Sequence, residues 1–509
     1  MVAKLVSGAL EGIEAYMVEV EVDLANGLPH YAVVGLPDAA VQEGKERVRA
    51  ALRNAGYEVP QRRITVNLAP ADTRKQGPLY DLPIALGLLV ASGQLRPAPD
   101  FSALLVGELA LDGQVRAVRG VLALAMAARA AGLSAVLVPA ANAQEAALVD
   151  GLQVYAVESL AHAAAVLASP TSECPLPGAV RAELISEPTI GLDMAEVKGQ
   201  AIAKRALEIA AAGGHNVMLV GAPGSGKTML ARRLAGILPP LSYPEALELT
   251  RLYSIAGLLA QHRGIVSERP FRAPHHSVSC AGLIGGGPQP RPGEASLAHH
   301  GVLFLDELPE FRRDVIEQLR QPLEQGVVQL ARAQAALAYP ARLTLVAALN
   351  PCPCGFLGDR LQACRCAPGQ AERYWNRLSG PLLDRLDLCA HVARLSEGEL
   401  LDEKEAEPSQ VIRQRVLAAR ARQRLRFESE PDVHCNAQMG PALLRRHTRL
   451  DDASKQLLRS AIRQLALTGR ALDRVLKTSR TIADLAEREA IATEHVAEAL
   501  QYRVFTPTA

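Results

Sequence analysis

The stretch Gly221-Ala222-Pro223-Gly224-Ser225-Gly226-Lys227-Thr228 decides the fold of this chain. It fits the pattern G-x-x-x-x-G-K-[ST] at every position and directly follows the apolar run Asn216 to Val220, which predicts a buried strand. Glycines let the backbone bend around phosphates, and the N–H groups of the loop and of the following helix attract anions. We predict that this loop and Met229 bind a nucleotide. Lys227 would reach the β- and γ-phosphates, and Thr228 would offer its hydroxyl to Mg²⁺.

A second apolar run, Gly301 to Leu305, ends in the two carboxylates Asp306 and Glu307. An acidic pair after a strand is often only the start of a solvated loop, but a phosphate-binding loop upstream favours a second nucleotide motif. In that motif Asp306 would hold Mg²⁺, and Glu307 would polarise the attacking water. The two runs together predict hydrolysis of the nucleotide.

A third apolar run, Leu343 to Leu349, ends at Asn350. A polar amide at the mouth of a buried strand can orient the attacking water beside the γ-phosphate, although Asn before Pro also commonly initiates a turn. Asn350 is therefore a further candidate catalytic residue.

Outward from these runs, the pattern of strands and helices predicts three folded parts. Residues 1–168 alternate strands and helices, 169–187 collect prolines as a linker does, 188–395 alternate buried strands with helices, and 396–509 have a helical period almost throughout. The predicted fold class is α/β, with an amino-terminal α+β domain, a parallel-sheet core and a helical carboxyl-terminal domain.

The amino-acid composition excludes several classes of protein. With 509 residues, 49% hydrophobic and 21% charged, the chain is not collagen-like, coiled-coil or wholly disordered. Because the net charge is only +1, any surface that binds nucleic acid must be a local basic region and cannot extend over the whole chain. The amino terminus is a poor signal peptide, and the most apolar stretch, 121–140, is interrupted by Arg129, Gly132 and Pro139. We expect a cytoplasmic protein with no membrane partner.

Four of the eight cysteines fall in one short polar loop, namely Cys352, Cys354, Cys364 and Cys366. Eight cysteines are too few for a disulfide framework in a chain of this length. Four soft ligands so close in sequence suit a tetrahedral structural Zn²⁺ site, although the C-x-C pairs depart from the usual two-residue spacing. Reduced thiols in a loop are the alternative.

The carboxyl-terminal part is locally basic. Residues 411–480 hold 16 Lys plus Arg against 6 Asp plus Glu. Solvated helix faces with arginines that serve the nucleotide site would explain this excess, and so would a nucleic-acid surface. The sequence leaves both interpretations open.

The order of these motifs resembles that of AAA+ ATPases of the magnesium-chelatase-like branch. Two later stretches complete the resemblance, Leu382-Leu-Asp384-Arg385-Leu-Asp387 and Thr468-Gly-Arg470-Ala-Leu-Asp-Arg474. Within that branch the chain is similar to the ComM/YifB group over essentially its whole length. The stretches that carry this similarity are Phe271-Arg-Ala-Pro-His-His276, Gly282-Leu-Ile-Gly-Gly-Gly287, Pro292-Gly-Glu-Ala-Ser-Leu297 and Asn350-Pro-Cys-Pro-Cys-Gly355.

The resemblance implies ATP and Mg²⁺ as cofactors and assigns roles to individual residues. Asn350 matches sensor 1, Arg385 the arginine finger that reaches a neighbour's ATP, and Arg470 the sensor 2 arginine. Arg474 is a second candidate for sensor 2. A finger that acts in trans implies a ring, and the family implies a homo-hexamer. A local ion pair of Arg385 with a flanking aspartate is the structural alternative.

The resemblance also locates two channel elements and an inactive protease-like domain. It interprets 277–290 as a loop inserted in the second helix of the core and 328–339 as a hairpin, from which Arg332 either contacts a threaded polymer or is an exposed charge. The stretch Gly107 to Gly120 and its surroundings look like the Lon-protease-like fold. Leu79 stands where the nucleophile is expected, and leucines stand where the lysine is expected, so we expect no protease activity.

The resemblance therefore predicts a hexameric, ATP-driven DNA motor, a helicase that promotes branch migration of recombination intermediates in natural transformation. Its partners would be single-stranded and branched DNA, a homo-hexamer and recombination proteins. The alternative is a magnesium-chelatase-type motor subunit for metal insertion into a porphyrin. An ATP-dependent protease is disfavoured because this chain lacks the nucleophile that a protease needs. An ATP-switched scaffold is also disfavoured, because a scaffold would need neither Glu307 nor Arg385.

Overall fold

The computed structural model describes residues 2–99, 101–178, 191–259, 264–287, 290–331, 336–359, 361–401, 406–430 and 432–503. The chain forms two compact units. Unit 1 comprises Met1–Ser186, Ser242–Ser267 and Ala331–Ala338, and unit 2 comprises Glu187–Leu241, Glu268–Leu330 and Tyr339–Ala509.

Unit 1 is built on a seven-stranded mixed sheet in the order β3-β4-β2-β1-β5-β8-β9. Strand β2 is antiparallel to β1 and β4, and the other neighbours are parallel. Along β2, buried Val18, Val20 and Val22 alternate with more exposed residues, so one face of the strand lies in the core. The strands of this part of the chain are β1 Val2–Glu11, β2 Glu14–Ala25, β3 His30–Val34, β4 Arg63–Ala69, β5 Ala103–Leu105, β6 Glu108–Leu109, β7 Val115–Arg116, β8 Ala135–Pro139 and β9 Gln153–Val157.

The helices of unit 1 are α1 Ala39–Asn54, α2 Asp81–Ala91, α3 Val121–Ala130, α4 Ala143–Ala146, α5 Leu160–Ala168 and, later in the chain, α8 Tyr243–Ala256. Helix α2 is buried on almost every side, as its apolar sequence requires. Helix α8 follows the phosphate-binding loop in sequence but belongs to unit 1, where the N–H of Gly120 donates to the carbonyl of Ser254 at 3.2 Å. The domain boundaries at 168, 187 and 395 stay predictions, and 179–190 lie outside the described residues.

Unit 2 contains a five-stranded parallel sheet in the order β11-β14-β17-β10-β18. Its strands are β10 Val217–Val220, β11 Phe271–Arg272, β14 Val302–Leu305, β17 Thr344–Leu349 and β18 Leu388–His391. Every residue of β10, β14 and β17 is buried, as expected for strands with both faces covered. Unit 2 also contains the hairpin of β12 Gly285–Gly286 with β13 Arg291–Pro292. A second hairpin, β15 Val327–Ala331 with β16 Ala336–Pro340, is divided between the two units.

The helices of unit 2 are α6 Ala201–Gly213, α7 Lys227–Ile237, α9 Cys280–Ile284, α10 Glu294–Leu297, α11 Arg313–Glu317, α12 Arg320–Gln325, α13 Gln370–Trp375, α14 Gly380–Leu383, α15 Glu397–Leu401, α16 Ser409–Arg426, α17 Pro441–His447, α18 Asp452–Leu465, α19 Gly469–Leu485 and α20 Thr493–Gln501. The carboxyl-terminal helices share the core of the sheet, since Ile412 and Val416 cluster with Val217 and Leu219.

The predicted fold class is confirmed, with a mixed α/β amino-terminal part, a parallel-sheet core and a helical carboxyl-terminal region. The predicted hairpin at 328–339 is present as β15 and β16. Its candidate contact residue, Arg332, lies outside the described residues. The predicted insert at 277–290 contains the short helix α9 and strand β12, and positions 288–289 also lie outside the described residues.

Candidate active site

The phosphate-binding loop, residues 221–228, follows strand β10 at the carboxyl edge of the parallel sheet. Helix α7 begins at Lys227, and Gly226 directly before it has a φ of +97°, a conformation that residues with a side chain rarely adopt. The amino terminus of α7 therefore opens toward the loop, where its N–H groups attract an anion.

The side chain of Lys227 is buried and surrounded by oxygen acceptors. Its Nζ donates to the carbonyl oxygens of Gly221 at 2.6 Å and Ala222 at 2.9 Å, and to Oδ1 of Asn350 at 3.1 Å. Burial lowers the pKa of Lys227 below its ordinary value, and the nearby acidic pair opposes this shift. Phosphate oxygens can replace these acceptors, because they offer the ammonium group the same hydrogen bonds with added charge.

Thr228 links the phosphate-binding loop to the end of β14. Its Oγ1 donates to Oδ2 of Asp306 at 2.8 Å. A hydroxyl and a carboxylate oxygen at this separation are the hard ligands that Mg²⁺ takes in phosphate-binding sites. The residues present therefore fit a magnesium site.

Glu307, the second carboxylate, has an unusual backbone conformation. Its φ is +53°, and its N–H donates to Oδ1 of Asp306 at 3.0 Å. A non-glycine residue with this φ carries backbone strain, which is concentrated at functional sites. Because the Glu307 side chain is exposed, it is open to water at the same strand end that carries Asp306.

Asn350 reaches the phosphate-binding loop because β17 lies beside β10. The two strands are parallel, with Leu349 opposite Val220, so Asn350 follows its strand at the level where the loop begins. The structure thus connects four of the predicted residues by side-chain hydrogen bonds, Lys227 with Asn350 and Thr228 with Asp306. We call Lys227, Thr228, Asp306 and Asn350 the central group.

The predicted arginines have other partners. The guanidinium of Arg385, which is only 7% exposed, contacts the carboxylate of Glu324 and the carbonyl of Pro381. Arg385 therefore forms an ion pair, but with Glu324 and not with a flanking aspartate, and its role as an arginine finger stays a prediction. Nε of Arg474 lies 3.5 Å from Oδ1 of Asp387, and Arg470 is exposed in the first turn of α19.

Asn216 is a positioning residue that the sequence analysis missed. Its Nδ2 donates to the carbonyl of Arg385 at 3.0 Å, and its backbone N–H donates to Oδ2 of Asp387 at 2.9 Å. Its Oδ1 accepts from the N–H of Leu345 at 2.8 Å. Asn216 therefore ties the backbone of Arg385 to β17. A polar amide at the start of a buried strand was the signal that could have found it.

The four predicted metal-ligand cysteines lie together. Their sulfur atoms are all within 4.8 Å of one another, with Sγ of Cys352 3.4 Å from that of Cys354 and 3.7 Å from that of Cys364. Burial raises the pKa of the Cys354 thiol, but hydrogen bonds from the backbone N–H groups of Arg365 and Phe356, together with those from the Cys352 and Cys366 thiols, outweigh burial and bring the pKa to about 6. A thiolate is the form that binds metal, so this environment favours a ligand at Cys354.

The basic carboxyl-terminal helices divide into paired and exposed arginines. Arg426 donates to Oδ2 of Asp484 at 2.8 Å, so part of the positive charge is used inside the fold. Arg445, Arg446 and Arg449 are exposed at the end of α17 and just after it. The paired arginines therefore agree with a role inside the fold, and the exposed arginines agree with a surface that binds nucleic acid.

Within the described ranges, no helix has the length and apolar character that a membrane crossing demands.

Three stretches of the chain match related protein families. Residues 193–400 match the family described as "Magnesium chelatase, subunit ChlI", residues 20–142 match "Subunit ChlI of Mg-chelatase", and residues 406–503 match "Magnesium chelatase, subunit ChlI C-terminal". The similarity therefore extends over both units and includes every member of the central group.

Relatives of similar length also match from end to end. "Competence protein ComM" of Haemophilus influenzae is 44% identical over 505 residues, which cover 98% of this chain and 96% of the relative. The uncharacterized protein YifB of Salmonella typhimurium is 43% identical, covering 97% of this chain and 95% of the relative. An uncharacterized protein of Mycobacterium tuberculosis is 44% identical, covering 98% and 97%.

Proposed function

Because this chain belongs to the ComM/YifB family, whose members carry magnesium-chelatase ChlI-like domains, we propose that it hydrolyses ATP and uses the energy to move along DNA. The observation that carries the proposal is the central group, in which Lys227 is bonded to Asn350 and Thr228 is bonded to Asp306. These residues follow the carboxyl ends of β10, β17 and β14, three consecutive strands of one parallel sheet. An ammonium, two oxygen ligands and an amide are the set that phosphoryl transfer to water needs.

Each residue of the site has a separate role in ATP hydrolysis. Lys227 and the N–H groups at the start of α7 bind and orient the β- and γ-phosphates. Thr228 and Asp306 hold Mg²⁺, which when bound neutralises charge on the phosphates. Glu307 accepts the hydrogen bond that turns a water molecule toward the γ-phosphate, and Asn350 orients the same water.

In the proposed mechanism, a ring of identical subunits adds an arginine to each ATP site. As an arginine finger, Arg385 stabilises negative charge on the γ-phosphate of a neighbouring subunit, and Arg470 contributes from the first turn of α19 of its own chain. Arg385 must leave Glu324 to do so. The working form is therefore a homo-hexamer, in which subunit contact and hydrolysis are coupled.

The DNA substrate rests on family membership. One full-length relative is named a competence protein, and the family resemblance points to branch migration of recombination intermediates, with single-stranded and branched DNA as substrates in the cytoplasm. Recombination proteins are the natural partners of such an activity. Exposed Arg445, Arg446 and Arg449 supply positive charge for phosphate contacts.

A second candidate is a motor subunit that drives Mg²⁺ insertion into a porphyrin. The observation in its favour is that all three matching family descriptions are of the ChlI subunit of magnesium chelatase. The ATPase chemistry is the same in both cases, so only the coupled substrate distinguishes them.

The deciding experiment is the ATPase rate without DNA and with single-stranded, duplex and four-way-junction DNA at two salt concentrations. Glu307→Gln is the blank, because it keeps the shape of the side chain without its charge. We expect junction DNA to raise the rate, the increase to shrink with salt, and Glu307→Gln to remove about 99% of hydrolysis. A rate that is indifferent to every DNA would reject the DNA motor and favour the porphyrin candidate.

A further inference from the structure

The cysteine loop, which we define as residues 351–359 and 361–369, leaves the parallel sheet directly at Asn350. Strand β17 ends at Leu349, and Cys352 lies two residues beyond Asn350. Cys352 is fully buried. The position of the cysteine cluster is therefore tied through two peptide units to the amide that contacts Lys227.

Helix α13 holds the main chain directly after Asn350. Nε1 of Trp375 donates to the carbonyl of Pro351 at 2.9 Å in a buried position. The ring of Trp375 is largely buried. Helix α13 begins four residues after Cys366, so the loop is held to its own exit helix.

The cysteine loop also packs against the phosphate-binding loop. Gly355 has a φ of +84°, and a Cβ added there would lie 2.4 Å from Cδ of Pro223. Real Cβ contacts do not reach that distance, so even a methyl group would push the two loops apart. The cysteine loop therefore touches the active site on two sides, at Asn350 and at Pro223.

The sulfur cluster has the dimensions of a metal site. Sγ of Cys354 is 3.5 Å from that of Cys364, too far for a disulfide and close to the edge of about 3.8 Å in a tetrahedron of thiolates around zinc. The described part of the segment 352–366 contains no helix or strand, and ordering such a chain costs conformational entropy that no backbone ladder offsets. Metal–thiolate bonds supply that stabilisation.

We propose that a zinc ion bound by the four cysteines positions Asn350 and Pro223, so that the rate of ATP hydrolysis depends on occupancy of this site. The ion takes no part in the reaction, and the cysteine loop is a positioning element. This inference rests on the proposed ATPase activity, since it concerns how that active site is held together.

The test uses the full chain and the double variant Cys364→Ser/Cys366→Ser, which removes the two ligands farthest in sequence from Asn350. The control is Cys174→Ser, which changes an exposed cysteine outside the cluster. Bound zinc, circular dichroism, ATP affinity and kcat are measured for each protein. Trp375 is the single tryptophan of the chain, so its fluorescence reports directly on the contact with Pro351.

We expect one zinc ion per chain in the wild type and in the control and none in the double variant. In the double variant the emission of Trp375 should shift to longer wavelength, because water reaches the ring. The value of kcat should fall at least about tenfold while ATP affinity changes less than about threefold, since the phosphate contacts of Lys227 remain. Adding Cys364→Ser/Cys366→Ser to Asn350→Ala should lower kcat no further, because both changes remove the same function.

Several results would overturn the inference. A wild type that purifies without zinc, a zinc-free variant with wild-type kcat, or losses that multiply in the Asn350→Ala background would each do so. If the double variant fails to fold, Gly355→Val decides, since it keeps all four thiols and separates the loop from Pro223. That variant should bind zinc and hydrolyse ATP slowly, and wild-type kcat would reject the proposal. A wild type that binds zinc but has no ATPase activity would instead count against the proposed function.

Discussion

The chemistry of the site depends on single atoms at the ends of neighbouring strands. The hydroxyl of Thr228 and the carboxylate of Asp306 come from segments far apart in sequence, yet their oxygens are 2.8 Å apart. This contact is made by the hydroxyl of Thr228 and does not involve its methyl group. A substitution that keeps the shape but removes the oxygen isolates its effect.

We predict that Thr228→Val raises the Mg²⁺ concentration for half-maximal ATPase activity by about tenfold, because Asp306 loses its partner oxygen at the ion. Thr228→Ser keeps the hydroxyl and should behave as the wild type. The measurement is a Mg²⁺ titration of ATPase activity at fixed ATP. Equal midpoints for the Val and Ser variants would show that Thr228 does not ligate the ion.

At the scale of elements, the packing of α1 against α2 in unit 1 contains a buried acid. Asp81 begins α2, is 1% exposed, and accepts from Nε of Arg47 at 2.7 Å. Burial raises the pKa of Asp81 to about 6, and the hydrogen bonds from Arg47 only partly oppose it. Because this pKa is above that of the unfolded chain, the folded state holds an extra proton between about pH 4 and 6.

Asp81 should therefore stabilise unit 1 below about pH 4 and lose that contribution as the pH rises through about 6. Relative to Asp81→Asn, the unfolding free energy of the wild type should fall by as much as about 3 kcal/mol between pH 4 and 7. Urea unfolding of both proteins over this range measures the difference. The exposed Asp72→Asn is the control, and an identical pH slope in wild type and Asp81→Asn would refute the assignment.

At the scale of the whole molecule, the location of the arginines decides whether one chain is sufficient. Arg385 is nearly buried against Glu324, and its backbone is fixed by Asn216. All four residues of the central group come from one chain. In the proposed function, the arginine finger comes from a neighbouring subunit.

We predict that mixing Lys227→Ala and Arg385→Ala subunits restores ATPase activity that neither variant has alone. In a mixed ring, an Arg385→Ala subunit offers an intact phosphate site, and its Lys227→Ala neighbour offers an intact finger. The rate is measured against the ratio of the two proteins at fixed total concentration. A mixture that is no more active than its components would show that Arg385 acts within its own chain or not at all.

Short motifs with a strict chemical requirement were predictable from the sequence. The phosphate-binding loop, the carboxylates after β14 and Asn350 after β17 each follow a buried apolar run, and parallel strands bring such ends to one edge of a sheet. The cysteine cluster was predictable for a similar reason, because its four cysteines all lie between residues 352 and 366. In both cases the spacing of the residues along the chain was enough to predict that they lie close together.

Contacts between distant segments were not predictable. Nothing near Glu324 in the sequence marks it as the partner of Arg385, and Asn216 has the appearance of an ordinary first residue of a strand. Gly8 in strand β1 is a further example, because a Cβ added there would lie 2.5 Å from Cδ2 of Leu124, a residue far away in sequence. Such pairings depend on which surfaces meet, and side-chain identity alone does not encode that.

The sequence by itself therefore determined the motifs on which the proposed reaction rests, because phosphate binding, metal ligation and water activation each demand particular groups at short spacing. Only the tertiary structure decided how those groups are supported. It placed the cysteine loop against Asn350 and Pro223, and Arg385 against Glu324. The physical reason is that chemistry is set by functional groups carried on short segments, whereas support comes from packing between segments that the chain joins only after it folds.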